Sequence, residues 1–247
     1  YILEYYKLKK KYNFFIIEDA CHAFGSKYKI NNKIFITGCC KHSDISTFSF
    51  HPVKSITTGE GGALTTNSKI IYKKASLLRS HGIERNISKS HWTYDIKKMG
   101  FNYRLSDMNC ALGIAQLKKI NFFVRKRREI ANFYLTKLKK LDNIVKLPEV
   151  TSNITSSWHL FLISIFFKKI KSNKTKLFNF LKSKKIFAQF HYIPVYRFNI
   201  KKKKYKKLEN SEYYFNNSLS IPIYPSLSKK DQRRVIVSIF QFLKKRL

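Results

Sequence analysis

Apolar residues recur along the chain in two rhythms. Residues 3–12 set Leu3, Tyr6 and Leu8 among lysines at helical spacing and predict the end of an amphipathic helix. This feeds residues 13–19, Asn-Phe-Phe-Ile-Ile-Glu-Asp, an apolar run of strand length that stops at an acid pair. An apolar strand without alternation suits a sheet covered on both faces. Strands are also predicted at residues 45–50 and 62–66, and helices at 70–80 and 108–117. The alternation points to an α/β layer structure.

A longer helix is predicted over residues 117–141. Ile120, Val124, Ile130, Tyr134, Leu138 and Leu141 fall on its buried side, and Arg125, Lys126, Arg127 and Arg128 mark a solvated face. Beyond Pro148 the order changes to a strand at 158–167, a helix at 174–184, a strand at 186–191 and a final helix at 229–244. This reads as a second, smaller α+β unit, with residues 1–120 forming part of a larger domain and 121–247 a linking helix and small C-terminal domain. The lysine run at 201–207 reads as a loop.

With 247 residues, 44% hydrophobic and 15% aromatic, the chain has material for a real core, which argues against disorder. No apolar run approaches the roughly 18–20 residues of a membrane-spanning helix. Cys21, Cys39, Cys40 and Cys110 show no C-x-x-C spacing, so reduced thiols in a cytoplasm are expected. The seven histidines form no H-x-x-x-H pair, and no metal is expected. The first residue is Tyr1 and no signal-peptide pattern follows, as in a fragment lacking its natural start.

The net charge of +36 invites a nucleic-acid reading, but Lys outnumbers Arg by 40 to 10, whereas bidentate readout favours Arg. The excess is also uneven. From His42 to Asn67 the one Lys or Arg is Lys54, against Asp44 and Glu60. Three of eight glycines, Gly59, Gly61 and Gly62, follow directly, and such clusters let backbone approach a bound group. A lone amine there is a candidate nucleophile toward a carbonyl. Asp19 closes its strand where ligands gather in α/β sheets, and either N-caps a following helix or serves a ligand. Lys plus Asp is the pair that pyridoxal phosphate demands: an amine for the aldehyde and an acid facing the pyridine nitrogen.

Four segments in order, Glu18–Asp19–Ala20–Cys21–His22–Ala23–Phe24–Gly25, Ser49–Phe50–His51–Pro52–Val53–Lys54, Thr58–Gly59–Glu60–Gly61–Gly62–Ala63 and Gly100–Phe101–Asn102–Tyr103–Arg104, resemble successive signatures of one family. It is the DegT/DnrJ/EryC1/StrS family of pyridoxal-phosphate-dependent nucleotide-sugar aminotransferases. Residues Arg79–Ile83 and Gln189–Tyr196 are most similar to its pseudaminic-acid branch.

The resemblance implies a fold-type I α/β chain with an incomplete large domain. It assigns Lys54 to the Schiff base and proton transfer, Asp19 to the pyridine nitrogen, His22 to a place near the ring hydroxyl, and Ser49 to the phosphate. Asn102 would reach the phosphate across a homodimer interface. A Lys at position 54 favours transamination over the dehydration run by relatives with His there. The implied substrates are a 4-keto nucleotide sugar and an amino-acid donor, L-glutamate. Arg104 either contacts a substrate anion or caps the next helix. His159, His191 and Tyr192 either line the sugar cleft or are structural.

In the family an N-terminal portion supplies a phosphate-binding turn and a stacking aromatic before the Glu-Asp motif. Neither occurs here, so the chain alone is expected to bind cofactor poorly. The rivals are a family member of other sugar chemistry, an inactive remnant, and a basic nucleic-acid-binding protein whose affinity would fall steeply with salt.

Overall fold

One carboxylate ties the first helix to the first strand. Asp44 accepts from the Lys9 ammonium and, at 2.7 Å, from the Ile16 backbone N–H. The computed structural model describes residues 2–85, 90, 92–198 and 206–244. In chain order its elements are α1 (Ile2–Tyr12), β1 (Ile17–Asp19), β2 (Lys27–Ile30), β3 (Lys33–Ile36), β4 (Ile45–Ser49), β5 (Gly62–Thr65), α2 (Lys69–Arg79), β6 (Ile83–Arg85), β7 (Tyr94–Ile96) and α3 (Asp107–Leu117). There follow α4 (Ile120–Leu138), β8 (Val145–Lys146), β9 (Ile154–Thr155), β10 (Phe161–Ile165), α5 (Lys174–Ser183), α6 (Glu209–Asn217), β11 (Ser218–Ile221) and α7 (Lys229–Lys244). They divide into two compact units: one up to Asn121 together with Ser152–Ser157, the other Phe122–Thr151 with Trp158 onward.

In the first unit β1, β4 and β5 form a sheet in the order β1-β4-β5. β1 and β4 run parallel, with Asp19 opposite Thr47, and β5 returns antiparallel with Gly62 opposite Ser49. A β2–β3 hairpin turns through Asn31 and Asn32, both at positive φ, as a tight primed turn requires. β9 joins this hairpin, and the Ser157 N–H donates to the Ser26 hydroxyl at 2.9 Å. Ser68 and Ser106 cap α2 and α3. The β6–β7 pair passes so near Gly82 (φ +73°) that a Cβ there would lie 1.7 Å from the Lys98 carbonyl.

β1 departs from expectation. Its apolar run predicts cover on both faces, yet Phe15 and Ile17 are 76% and 65% exposed. The strand is an edge of a three-stranded sheet, and the face carrying Phe15, Ile17 and Asp19 is open.

In the second unit β11, β10 and β8 form an antiparallel sheet. Phe161, Ile163 and Ile165 alternate onto a core shared with Tyr134, Leu138, Leu177, Leu219, Ile239 and Phe242, all at most 2% exposed. α7 supplies Val235, Ile236, Ile239, Phe242 and Leu243 at helical spacing.

Two sequence expectations need correction here. The strand predicted at 186–191 is reduced to a bridge between Gln189 and Ser220, because Phe190 turns aside to pack on Phe178 and Lys174. Arg127, assigned to a solvated face, is buried. One terminal nitrogen of its guanidinium donates to the carbonyls of Trp158, His159 and Ile223. Burial holds its pKa down at about 10. Of the lysine run predicted as a loop, residues 201–205 lie outside the described residues; Lys206 and Lys207 are coil. Among the described residues no helix is long and apolar enough to cross a membrane.

Candidate functional site

β1 and β4 point their carboxyl ends the same way, so their last residues, Asp19 and Ser49, share one end of the sheet. Asp19 caps no helix. The chain turns instead, and the Cys21 N–H reaches back to Asp19 Oδ1 at 3.0 Å. Asp-x-Cys is thus an Asx turn. The Cys21 thiol and N–H, in that order, hold the Asp19 carboxylate below its usual pKa, and the charges of His22 and Lys54 add to the effect. Asp19 is therefore ionised throughout the neutral range.

Lys54 arrives on a closed loop. Phe50 donates its N–H to the Gly61 carbonyl at 2.8 Å and accepts at its own carbonyl from Thr58 N–H and the Thr57 hydroxyl, both at 3.0 Å. Within the loop the Lys54 N–H bonds the His51 carbonyl at 2.9 Å, while Ser55, Ile56 and Thr58 are buried beneath. The loop's rigidity thus rests on Phe50 and two threonines. Packing also explains Gly62: a Cβ there would meet the Phe48 carbonyl at 2.6 Å.

The structure brings Asp19, His22 and Lys54 together. Partial burial of the His22 ring depresses its pKa, Lys54's charge does so further, and Asp19 opposes both. His22 is accordingly neutral at pH 7. Ser49 lies at the same sheet end, its Oγ accepting from His51 N–H at 3.5 Å, which leaves the hydroxyl proton to donate.

Asn102 is exposed, in a bridge with Ser80, and the neighbouring Phe101 and Tyr103 rings stack at 4.8 Å. Arg104 is exposed and does not cap α3, since Ser106 does. His159, His191 and Tyr192 belong to the second unit: His159 is buried with its carbonyl accepting from Arg127, and the His191 ring stands edge-on to Tyr192. Sequence reasoning overlooked Cys21, although an Asp followed two residues later by a donor is an Asx-turn signal.

The family model for DegT/DnrJ/EryC1/StrS aminotransferases matches residues 2–240. The chain belongs to the DegT/DnrJ/EryC1/StrS aminotransferase family. It is 41% identical over 242 residues to a UDP-4-amino-4,6-dideoxy-N-acetyl-beta-L-altrosamine transaminase of Campylobacter jejuni, covering 96% of this chain and 61% of that protein. The structure of PseC of Helicobacter pylori, an aminotransferase involved in the biosynthesis of pseudoaminic acid, superposes with a TM-score of 0.87 at 30% identity, over 99% of this chain and 63% of that one. A putative sugar aminotransferase of Streptococcus pneumoniae in its PLP form shares the fold, with a TM-score of 0.82 at 24% identity. The fold is thus the fold-type I α/β arrangement, and the chain spans 60–62% of the length of the curated family relatives it matches.

Proposed function

We propose that this chain carries the amine-bearing part of a pyridoxal-phosphate-dependent sugar aminotransferase. The observation that supports it is the pairing of Lys54 with Asp19 at the carboxyl ends of adjacent parallel strands, within electrostatic reach of one another. An amine, an ionised carboxylate and a neutral imidazole in one cluster are the donor set the cofactor fits. Bound pyridoxal phosphate supplies an aldehyde for amine exchange and a protonated ring that draws electrons from the substrate carbon.

Asp19, held ionised by Cys21, would keep the proton on the cofactor's ring nitrogen. Lys54 would hold the cofactor through its amine, and the same amine would move a proton at the substrate carbon. Ser49 would donate to the phosphate, and neutral His22 would serve the ring hydroxyl. Asn102 would serve the phosphate of the opposite protomer in a homodimer, and Arg104 would meet an anionic group of the substrate. The segment up to residue 120 forms the cofactor-binding part, and 121–247 the linking helix and smaller domain. The substrate class is a 4-keto nucleotide sugar of the pseudaminic-acid type, with L-glutamate as donor. The Campylobacter relative's name supports the sugar and the family resemblance the donor.

Borohydride reduction tests this reading. The chain, combined with the part of the family fold it does not span, is incubated with pyridoxal phosphate, reduced and digested, and the peptides are weighed. Cofactor fixed on the Lys54 peptide, and lost in Lys54→Ala, is the expected result. Label spread over surface lysines, with none enriched at 54 even in the presence of the rest of the family fold, would overturn it.

A further inference from the structure

The second unit contains a cavity to which no residue named for the cofactor or the sugar contributes. About 390 Å³ of space opens between α4 and the segment that leads from β11 into α7. That volume falls in the range of small-molecule pockets. Its floor is apolar, made by Ile130, Phe133 and Leu227. Its rim carries Lys126, Lys229 and Arg233. Lys126 is committed to Glu129 at 2.9 Å, whereas among the described residues Lys229 and Arg233 form no salt bridge. These two stand four positions apart in the first turns of α7, on one face. Like charges at that spacing repel, and the N-terminal end of a helix is the end that disfavours cations. An anion between them relieves both costs. Gln232, only 8% exposed, supplies a second signal from the same cavity wall. Its amide nitrogen donates to the Leu227 carbonyl at 2.8 Å, while its amide oxygen accepts from no donor among the described residues.

We propose that this cavity binds a nucleotide. The phosphate lies against Lys229 and Arg233 at the start of α7, the base covers Ile130, Phe133 and Leu227, and a ring N–H donates to the Gln232 amide oxygen. The three demands together select the class. Free phosphate answers the cations but leaves the apolar floor and the amide oxygen bare. An acyl chain covers the floor and offers neither charge nor donor. A nucleotide brings an anion, a flat apolar ring and a donor in one molecule. Glu129, the carboxylate on the rim, is compensated by Lys126 and, at 3.8 Å, by Arg125. The inference uses no residue of the cluster around Lys54 and stands apart from the chemistry proposed there.

Equilibrium dialysis tests it, on this chain combined with the part of the family fold it does not span. The probes are adenosine 5′-monophosphate, uridine 5′-monophosphate, ribose 5-phosphate and inorganic phosphate. The tighter of the two nucleotides should bind at least roughly tenfold better than ribose 5-phosphate, which lacks the base. Lys229→Glu with Arg233→Glu should weaken that nucleotide at least roughly tenfold. Lys176→Glu with Lys182→Glu, on α5, changes the net charge equally and should leave the affinity within about twofold, since distant surface charges are screened. All four side chains are exposed, so both variants keep the parent's circular dichroism. Equal affinity for nucleotide and ribose 5-phosphate, full binding by the α7 variant, or the same loss in the α5 variant would each overturn the inference. A nucleotide seated in a substrate cleft, or a cavity filled by the rest of the fold, gives the second of these results. The borohydride readout on Lys54 is separate, so failure of one reading is distinguishable from failure of the other.

Discussion

At Asp19 two donors on Cys21 decide the chemistry. They hold the carboxylate below its ordinary pKa, with help from the charges of His22 and Lys54. A carboxylate with a depressed folded pKa is fully ionised above its unfolded value near 3.8, and its favourable interactions are lost as pH falls through the lower folded value. The anion thus stays in place at any pH where an aminotransferase works. On the proposed function, Asp19→Asn should lower kcat for amino transfer by about a hundredfold or more, because a neutral amide cannot stabilise the ring proton. Steady-state kinetics at pH 7 checks this. Arg127 makes the opposite case, a charge buried with backbone carbonyls as its partners. Replacing it with leucine strands three acceptors and should destabilise the second unit by about 3 kcal/mol, read by urea unfolding.

Among elements, the junction of α1 with β1 depends on Asp44. Burial raises its pKa, but the bonds from Lys9 and Ile16 outweigh burial and leave it lowered. Its contribution is therefore present above the unfolded carboxylate value and disappears as pH falls through the folded one. Asp44→Asn should cost about 1–3 kcal/mol at pH 7 and little at pH 2, measured by thermal unfolding of both proteins at each pH. The β6–β7 pair has a steric determinant instead. Gly82→Ala places a methyl against the Lys98 carbonyl at a positive φ, with no flexible atom to yield. Loss of ordered structure around residues 80–100, seen as accelerated hydrogen exchange there, is the expected outcome.

Over the whole molecule the burial is uneven. The clustered hydrophobic core, from Ile130 to Leu243, lies in the second unit. The buried apolar residues described in the first unit are Ile16, Ala20, Cys40, Phe48 and Ile56. Unfolding of the chain by itself should consequently depart from two-state behaviour. The first unit opens at lower denaturant, and exchange is slowest in β10, β11 and α7. Coincident transitions by fluorescence and circular dichroism would contradict this.

Much of the architecture was legible along the chain because burial imposes a period. α2, α3, α5 and α7 fall within a residue or so of the helices predicted, and the ordered motifs pointed to the family that the comparisons show. β11 escaped notice since its alternate serines conceal four buried positions, and α6 because its apolar stripe is shallow. Arg127 was misplaced because a charge run says nothing of which member finds carbonyls to bond. Local sequence determined the helices, the caps at Ser68 and Ser106, the Asn31–Asn32 turn and the residue types of the site. Tertiary structure decided that Asp19 and Lys54, 35 positions apart, feel each other's charge, since only the parallel pairing of β1 with β4 sets both at one sheet end. It also decided that β1 stands at one edge of its three-stranded sheet, for a strand's periodicity records the cover it needs and never its place in the sheet order.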